Sequence, residues 1–335
     1  QREQCSLDGL KGKRVAIDAY NTIYQFLTII RQPDGTPLSD SRGRVTSHLS
    51  GLFYRTCNLL EKGIRPCFVF DGTPSELKRR TIEERKARKA EAEEALRKAR
   101  EEGRTEEVAM LVQRTVRITP DIVEESKSLL ELMGVPWVQA PSEGEAQCAV
   151  MAAAGVVDCT GSQDYDALLF GSPLLVRNIT IAGRRKLPRR NLTVEVFPEI
   201  ISLESNLAAF GISREKLVWI GMLCGTDFNE GVRGIGPKKG LKLVKECDSL
   251  ESLAAALGEK ASGFDVAPVL DLFLNPASVP VRREEVELRA PQREKLLEFM
   301  HGEHDFSPER LESSIKKAFK EPEDDKQATL KKWFS

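Results

Sequence analysis

Seven carboxylates stand at the ends of short apolar runs or just beyond them. Asp18 closes Arg14–Asp18 (RVAID) and Asp71 closes Pro66–Asp71 (PCFVFD). Glu143 and Glu145 follow Pro136–Gln139, Asp164 and Asp166 follow Val156–Gly161, and Asp227 stands in Gly225-Thr-Asp-Phe. In an open parallel sheet, ligands sit beyond the carboxyl ends of the strands. Seven acids delivered there can share one cleft. Acids so close raise one another's pKa, and divalent cations remove the conflict. The set holds no histidine or cysteine, which favours hard Mg²⁺ or Mn²⁺ over Zn²⁺. Two such ions roughly 4 Å apart can activate a water and stabilise a leaving oxygen in phosphodiester hydrolysis.

Each acid also has a plainer reading. Ser142-x-x-Glu145 fits a capping box, which would make Glu145 a helix cap and Glu143 an acid favoured near a helix N-terminus. Asp164 and Asp166 fit a turn or a cap for Ala167–Phe170. Asp18 and Asp71 fit loop starts. Taken together, these readings require an acid at every strand end by coincidence.

The elements that must position these acids are short β-rich runs separated by helical patterns. Leu174–Ile179 is a further predicted strand, and Ile122–Met133 carries one apolar helical face. Apolar strands with helical crossovers predict an α/β fold with a mostly parallel central sheet covered by helices on both faces.

Two stretches depart from that pattern. Lys78–Arg117 holds thirteen basic and nine acidic residues, and its first half has almost no large apolar side chain. It reads as helix with no face to bury, a solvent-bridging element. Lys78 and Arg85 lie seven apart on one of its faces; the plain reading of both is a solvated charged surface. The second departure is the tail, where a polar linker (EPEDDK) precedes Gln327-Ala-Thr-Leu330-Lys-Lys-Trp333-Phe334. Leu330, Trp333 and Phe334 would form one plug on a flexible tether. The alternative is a terminal helix packed on its own domain.

Gly234-Ile-Gly236-Pro-Lys238-Lys239 precedes an apolar helical run. It reads as a hairpin between helices whose glycines let the backbone approach a partner closely and whose two lysines add charge, or as an ordinary turn.

The chain of 335 residues is 41% hydrophobic and 30% charged, with a net charge of −1. No apolar run approaches the roughly 20 residues that span a bilayer. The polar start, Gln1–Lys13, predicts a cytosolic protein (nuclear in a nucleated cell) with no membrane association. Seven scattered cysteines and three histidines make no zinc-like spacing.

At its motifs the sequence resembles the flap endonuclease family, above all its archaeal members. The matching strings are VAIDAYN (15–21), TSHLSGLFYRT (46–56), FVFDG (68–72), APSEGEAQ (140–147), GSQDYDALLFG (161–171) and GTDFNEGVRGIGPKK (225–239). The resemblance implies a metal-dependent DNA endonuclease with 5′–3′ exonuclease activity that cuts at the base of a 5′ flap. It implies two Mg²⁺ ions, replaceable by Mn²⁺. Asp18, Asp71, Glu143 and Glu145 would lie nearer one ion, and Asp164, Asp166 and Asp227 nearer the other, with Glu145 shared.

The resemblance further implies that Lys78 and Arg85 reach the scissile phosphate and that the polar helical segment is an arch threaded by the 5′ strand. Tyr24 matches a base-stacking position, with a core role as the alternative, and Arg31, Thr46 and Arg55 become DNA contacts. A helix–hairpin–helix element over 225–247 would bind DNA and K⁺, the latter through backbone oxygens because Gly231 replaces a serine. The tail resembles the box that binds the sliding clamp (PCNA). Residues 1–320 would form one nuclease domain in a monomer, with parts at 1–78, 79–119 and 120–320, and 321–335 its flexible tail. Family members begin with a glycine-led segment, expected ahead of Gln1, and have a tryptophan near Arg289, where local repacking is expected. The alternatives are a sibling excision-repair or junction-resolving nuclease, which the compact segment between Asp71 and Glu143 and the clamp box disfavour, and a non-catalytic scaffold for branched DNA.

Overall fold

The computed structural model describes residues 1–32, 35–181, 183–186, 193–258 and 267–319. The expected clamp box, Gln327 to Phe334, lies outside them. The strands are β1 (Glu3–Gln4), β2 (Arg14–Asp18), β3 (Arg65–Phe70), β4 (Trp137–Gln139), β5 (Cys159–Gly161), β6 (Leu174–Arg177), β7 (Gly183–Lys186), β8 (Thr193–Val196) and β9 (Glu199–Ser202). Seven of them form one sheet in the order β1-β9-β6-β5-β2-β3-β4, and β7 pairs with β8 in a second, two-stranded sheet. The run β6-β5-β2-β3-β4 is parallel, while β9 and β1 join antiparallel at the edge. The mostly parallel sheet expected from the sequence is therefore present.

Alternation along β2 shows why its run is apolar throughout. Val15 and Ile17 point into a core built with α1 (Ala19–Ile29), α2 (Ser47–Glu61) and the helix Pro308–Ala318. Ala16 points the other way, onto Cys148 and Met151 of the helix Gly144–Ala153. A strand buried on both faces has no polar position to alternate with.

Register sets how far each acid projects beyond the sheet. Asp18 stands level with Val69 of β3, so Asp71 projects two residues further. On the other side Ile17 is level with Gly161 of β5, and Asp164 lies three beyond that.

Two predicted strands are shorter than expected by more than one residue. Val156 and Val157 lie before β5, because both amides turn back to the Met151 carbonyl and close the preceding helix. Asn178 ends β6 with a φ of +61°, which breaks the extended run before Ile179.

The polar segment forms α3 (Arg79–Glu101) and α4 (Thr105–Arg114). Its first half is largely exposed, as expected. Its second half does bury a face: Ala92, Leu96, Ala99 and Val112 pack where the two helices meet. Small residues made that seam hard to see, since alanines add little to an apolar stripe. The remaining helices begin with α5 (Pro120–Leu132), which Thr119 caps through the Ile122 amide, and α6 (Gly144–Ala153). They continue through α7 (Asp166–Leu169), α8 (Leu203–Phe210), α9 (Arg214–Cys224) and α10 (Pro237–Glu246).

Candidate metal and nucleic-acid site

Asp18 ends β2 and also caps α1, accepting the Asn21 amide at 3.0 Å. Burial, then the charge of Asp71, pushes its carboxyl up to about 8. Asp71 accepts the Gly144 amide at 2.6 Å, and burial with the neighbouring Glu143 charge raises it to about 6. That long-range bond displaces the capping box read from the sequence. Glu143, not Ser142, is the N-cap residue of α6, and its side chain makes no cap. The glycine is required here: a Cβ on Gly144 would lie 2.7 Å from the Asp71 Oδ1.

Released from capping, Glu145 turns into the site. Its pKa is pushed well up by burial and then by Asp18 and Asp166, and its Oε1 is buried without a hydrogen-bond partner. Asp166 opens α7 and is raised to about 6 by burial, Asp164 and Asp227. Asp164 is held by Asn21 Nδ2 at 2.8 Å.

The cations of the arch base meet these acids. Lys78 pairs with Glu143 and lies 3.4 Å from Asp227. Burial pulls the Lys78 pKa down, but Glu143 and Asp227 more than offset this, so it stands raised. Arg85 Nη2 donates to both Asp227 oxygens at 2.7 and 2.9 Å.

All seven acids, with Lys78, Arg85 and Tyr24, line one cavity of about 1330 Å³ between the sheet end and the arch. Tyr24 is 46% exposed, which removes the core alternative. Arg31, Thr46 and Arg55 are not brought to this cavity. Arg31 instead donates to the Gly35 carbonyl at 2.7 Å, and Thr46 is buried. Near the expected repacking, the Arg289 backbone lies on Gly134, its amide donating to the Gly134 carbonyl at 2.8 Å.

Further along, α9 and α10 pack together, joined by a loop that holds Gly234 and Gly236. Gly236 is the N-cap residue of α10, and Lys239 Nζ donates to the Gly234 carbonyl at 3.1 Å. Gly231 has a φ of +74°, and a Cβ there would meet the Gly225 amide nitrogen at 2.4 Å. A side chain at this position is therefore strained.

The donors fit hard divalent ions. All are carboxylates, crowding and burial raise Asp18, Asp71 and Asp166 to about 8, 6 and 6, and Glu145 offers a buried oxygen with no other partner. Among the described residues no three such side chains already form a cage around one point. Lys78 and Arg85 occupy part of the same carboxylate set, so the acids must exchange partners to hold an ion.

Sequence reasoning missed Asn21, which ties α1 to Asp164, and Tyr165 with Arg177, which stand beside the acids. Their signal was present: Asn21 follows Asp18 by three, and an aromatic between two aspartates has no apolar neighbour to bury it.

A mostly parallel sheet with acids beyond its strand ends and a helical arch above them defines a class of nuclease. Models of the XPG N-terminal domain and the XPG I-region match residues 2–92 and 134–227. The chain is 53% identical to flap endonuclease 1 of Aeropyrum pernix, covering 99% of this chain and 96% of that one. Against flap endonuclease 1 of Pyrococcus furiosus the identity is 50%, covering 99% and 96%. In structure it is similar to flap endonuclease-1 from Methanococcus jannaschii, with a TM-score of 0.72, 38% identity and 95% of each chain covered. The chain belongs to the flap endonuclease family.

Proposed function

We propose that this chain cuts branched DNA at the base of a 5′ flap in the processing of replication intermediates and in repair, using two Mg²⁺ ions held by its seven carboxylates. Family membership makes it a structure-specific flap endonuclease, a hydrolase of DNA phosphodiester bonds. The observation that carries the two-ion reading is the convergence of seven acids, from separate strand ends and loops, on one cavity with Lys78 and Arg85 at its rim. The chemistry that two such ions supply is activation of a water and stabilisation of the leaving oxygen. Asp18, Asp71, Glu143 and Glu145 would hold one ion, and Asp164, Asp166 and Asp227 the other, with Glu145 available to both. Mn²⁺ substitutes for Mg²⁺.

The chain's own groups do the rest. Lys78 and Arg85 leave their carboxylate partners and meet the scissile phosphate, whose charge they stabilise. Tyr24 stacks on a base. Arg31 and Arg55 contact the duplex. Gly234, Gly236, Lys238 and Lys239 hold a phosphate at the α10 N-terminus as the helix–hairpin–helix element 225–247, with K⁺ on backbone oxygens. These contacts carry no sequence information and weaken steeply with salt. The products are a 5′-phosphate and a 3′-hydroxyl, with 5′–3′ exonuclease action alongside.

The protein acts as a cytoplasmic monomer, one nuclease domain over 1–320 with a tail that carries the clamp box. Among the described residues, no helix is long and apolar enough to cross a membrane. Replacing Trp333 and Phe334 by alanine is expected to leave basal cleavage intact and to remove stimulation by the sliding clamp (PCNA). Unchanged stimulation would refute the tail reading.

A labelled double-flap DNA tests the activity, with Mg²⁺ and with EDTA, beside single-stranded and blunt duplex controls. Mg²⁺-dependent incision at the flap base, absent from the single strand, is expected. Equal cutting of all three DNAs would overturn the structure specificity.

A further inference from the structure

Tyr165 lies between Asp164 and Asp166, yet its ring is neither buried nor loose. It is 49% exposed and lines the same cavity as the acids. The Arg177 guanidinium carbon lies 4.5 Å from the ring centroid, and Arg177 Nη1 donates to the phenol oxygen at 2.6 Å. Arg177 is itself fixed: its Nε donates to the Gln163 carbonyl at 3.1 Å, and Nη1 reaches Glu199 at 3.3 Å. With 19% of its side chain exposed, Arg177 is a support rather than a free cation.

The arrangement holds an exposed aromatic in one pose, its hydroxyl already satisfied and one side covered by a guanidinium. The ring itself offers no charge or free donor to a phosphate, since its hydroxyl and the cation behind it are already partnered, the latter with Glu199. An uncharged, planar nucleobase is the part of a DNA strand that this surface suits. A second exposed ring stands nearby in the fold. Tyr24 lies one helical turn beyond Asn21, and Asn21 is hydrogen-bonded to Asp164, the residue before Tyr165. The two tyrosines thus flank one tie between α1 and the β5–α7 loop.

We propose that Tyr165, braced by Arg177, is a base platform that stacks on an unpaired nucleobase next to the scissile phosphate and so positions the cleaved strand. The proposal rests on the flap-cleaving reading. Stacking on an aromatic tolerates any base and contributes about tenfold or more in affinity, which suits an enzyme that reads shape.

The test uses the full chain and double-flap DNA carrying 2-aminopurine at each nucleotide flanking the cut, one at a time. Fluorescence is read with Ca²⁺ in place of Mg²⁺, and cleavage with Mg²⁺. The unaltered chain is expected to quench the probe at one of these positions. Tyr165→Leu is expected to lose that quenching and to raise KM about tenfold, whereas Tyr165→Phe keeps the quenching and a KM within about threefold of the original. Arg177→Met is expected to weaken the quenching, because the ring loses its brace. Quenching by Tyr165→Leu equal to that of the unaltered chain at every position would overturn the platform. So would an equal loss of Mn²⁺ affinity in the Leu and Phe variants, which would make Tyr165 only a support for the neighbouring acids. Failure of the unaltered chain to cut the flap would instead overturn the underlying reading.

Discussion

Asp18 and Asp40 are equally buried, at 8% exposure each, and their carboxyl pKa values move in opposite directions. Burial pushes both up. At Asp40 the Arg44 amide and guanidinium and the Arg42 amide more than offset it, and the carboxyl stands below its ordinary value. At Asp18 burial, with the charges of Asp71 and Asp164, outweighs the Asn21 amide and the Lys78 charge, and the carboxyl rises to about 8. Burial alone therefore does not tell a structural acid from a functional one. The supply of donors does. Asp40 is furnished with what a carboxylate needs and holds its loop to Arg44 and, at 3.6 Å, to His304. Asp18, Asp71, Glu145 and Asp166 are left short of donors, and that shortage is what a divalent ion would fill.

The largest effect expected from this contrast is on catalysis. Asp166→Asn should lower single-turnover cleavage of flap DNA on the order of a thousandfold while binding changes within a few fold. Equal loss of binding and cleavage would remove Asp166 from the chemistry.

Stability should move the opposite way at the two sites. With EDTA at neutral pH, Asp166→Asn relieves crowding and should raise stability by up to about 3 kcal/mol, from a carboxyl displaced by about two pH units. Asp40→Asn should lower the Tm, since it strips charge from a buried partner of Arg44. Thermal unfolding of both variants checks the pair, and a fall in both would erase the distinction.

The smallest effect is a slope. Asp71 and Asp166 near 6 and Asp18 near 8 bind protons more tightly folded than unfolded. Their stabilising contribution is complete below the ordinary carboxylate pKa and is lost as pH rises through 6 to 8. The Tm in EDTA should fall across that window, and Mg²⁺ should flatten the fall by displacing the protons. A Tm in EDTA that stays level from pH 5 to 8.5 would contradict the crowding.

Much of the fold and site was legible in the sequence because strand ends announce themselves. RVAID and PCFVFD are apolar runs closed by acids, and the structure ends β2 and β3 at or one residue before those acids. What stayed hidden was long-range. No local pattern says that Asp71 caps α6 across the sheet, so the nearby Ser142–Glu145 pair looked like the cap. The α3–α4 seam was missed because Ala92 and Ala99 bury well without marking an apolar stripe. The antiparallel pairing of β1 with β9 brings Glu3 to Ile200 across more than half the chain, which alternation within either strand does not encode.

Strand register also gives the acid cluster its shape. Asp71 and Asp164 both overhang Asp18 from the neighbouring strands, so the acids form a shallow cup with Asp18 at its floor. Its width is the spacing between paired strands, roughly 4.8 Å, and its depth is counted in residues of about 3.3 Å each. Neither dimension can be tuned continuously. A slip of one residue along β3 would deepen the cup by a whole step and turn Asp71 to the opposite face. The backbone of the sheet thus acts as a graduated rule, and the cup can hold only those separations that its divisions allow.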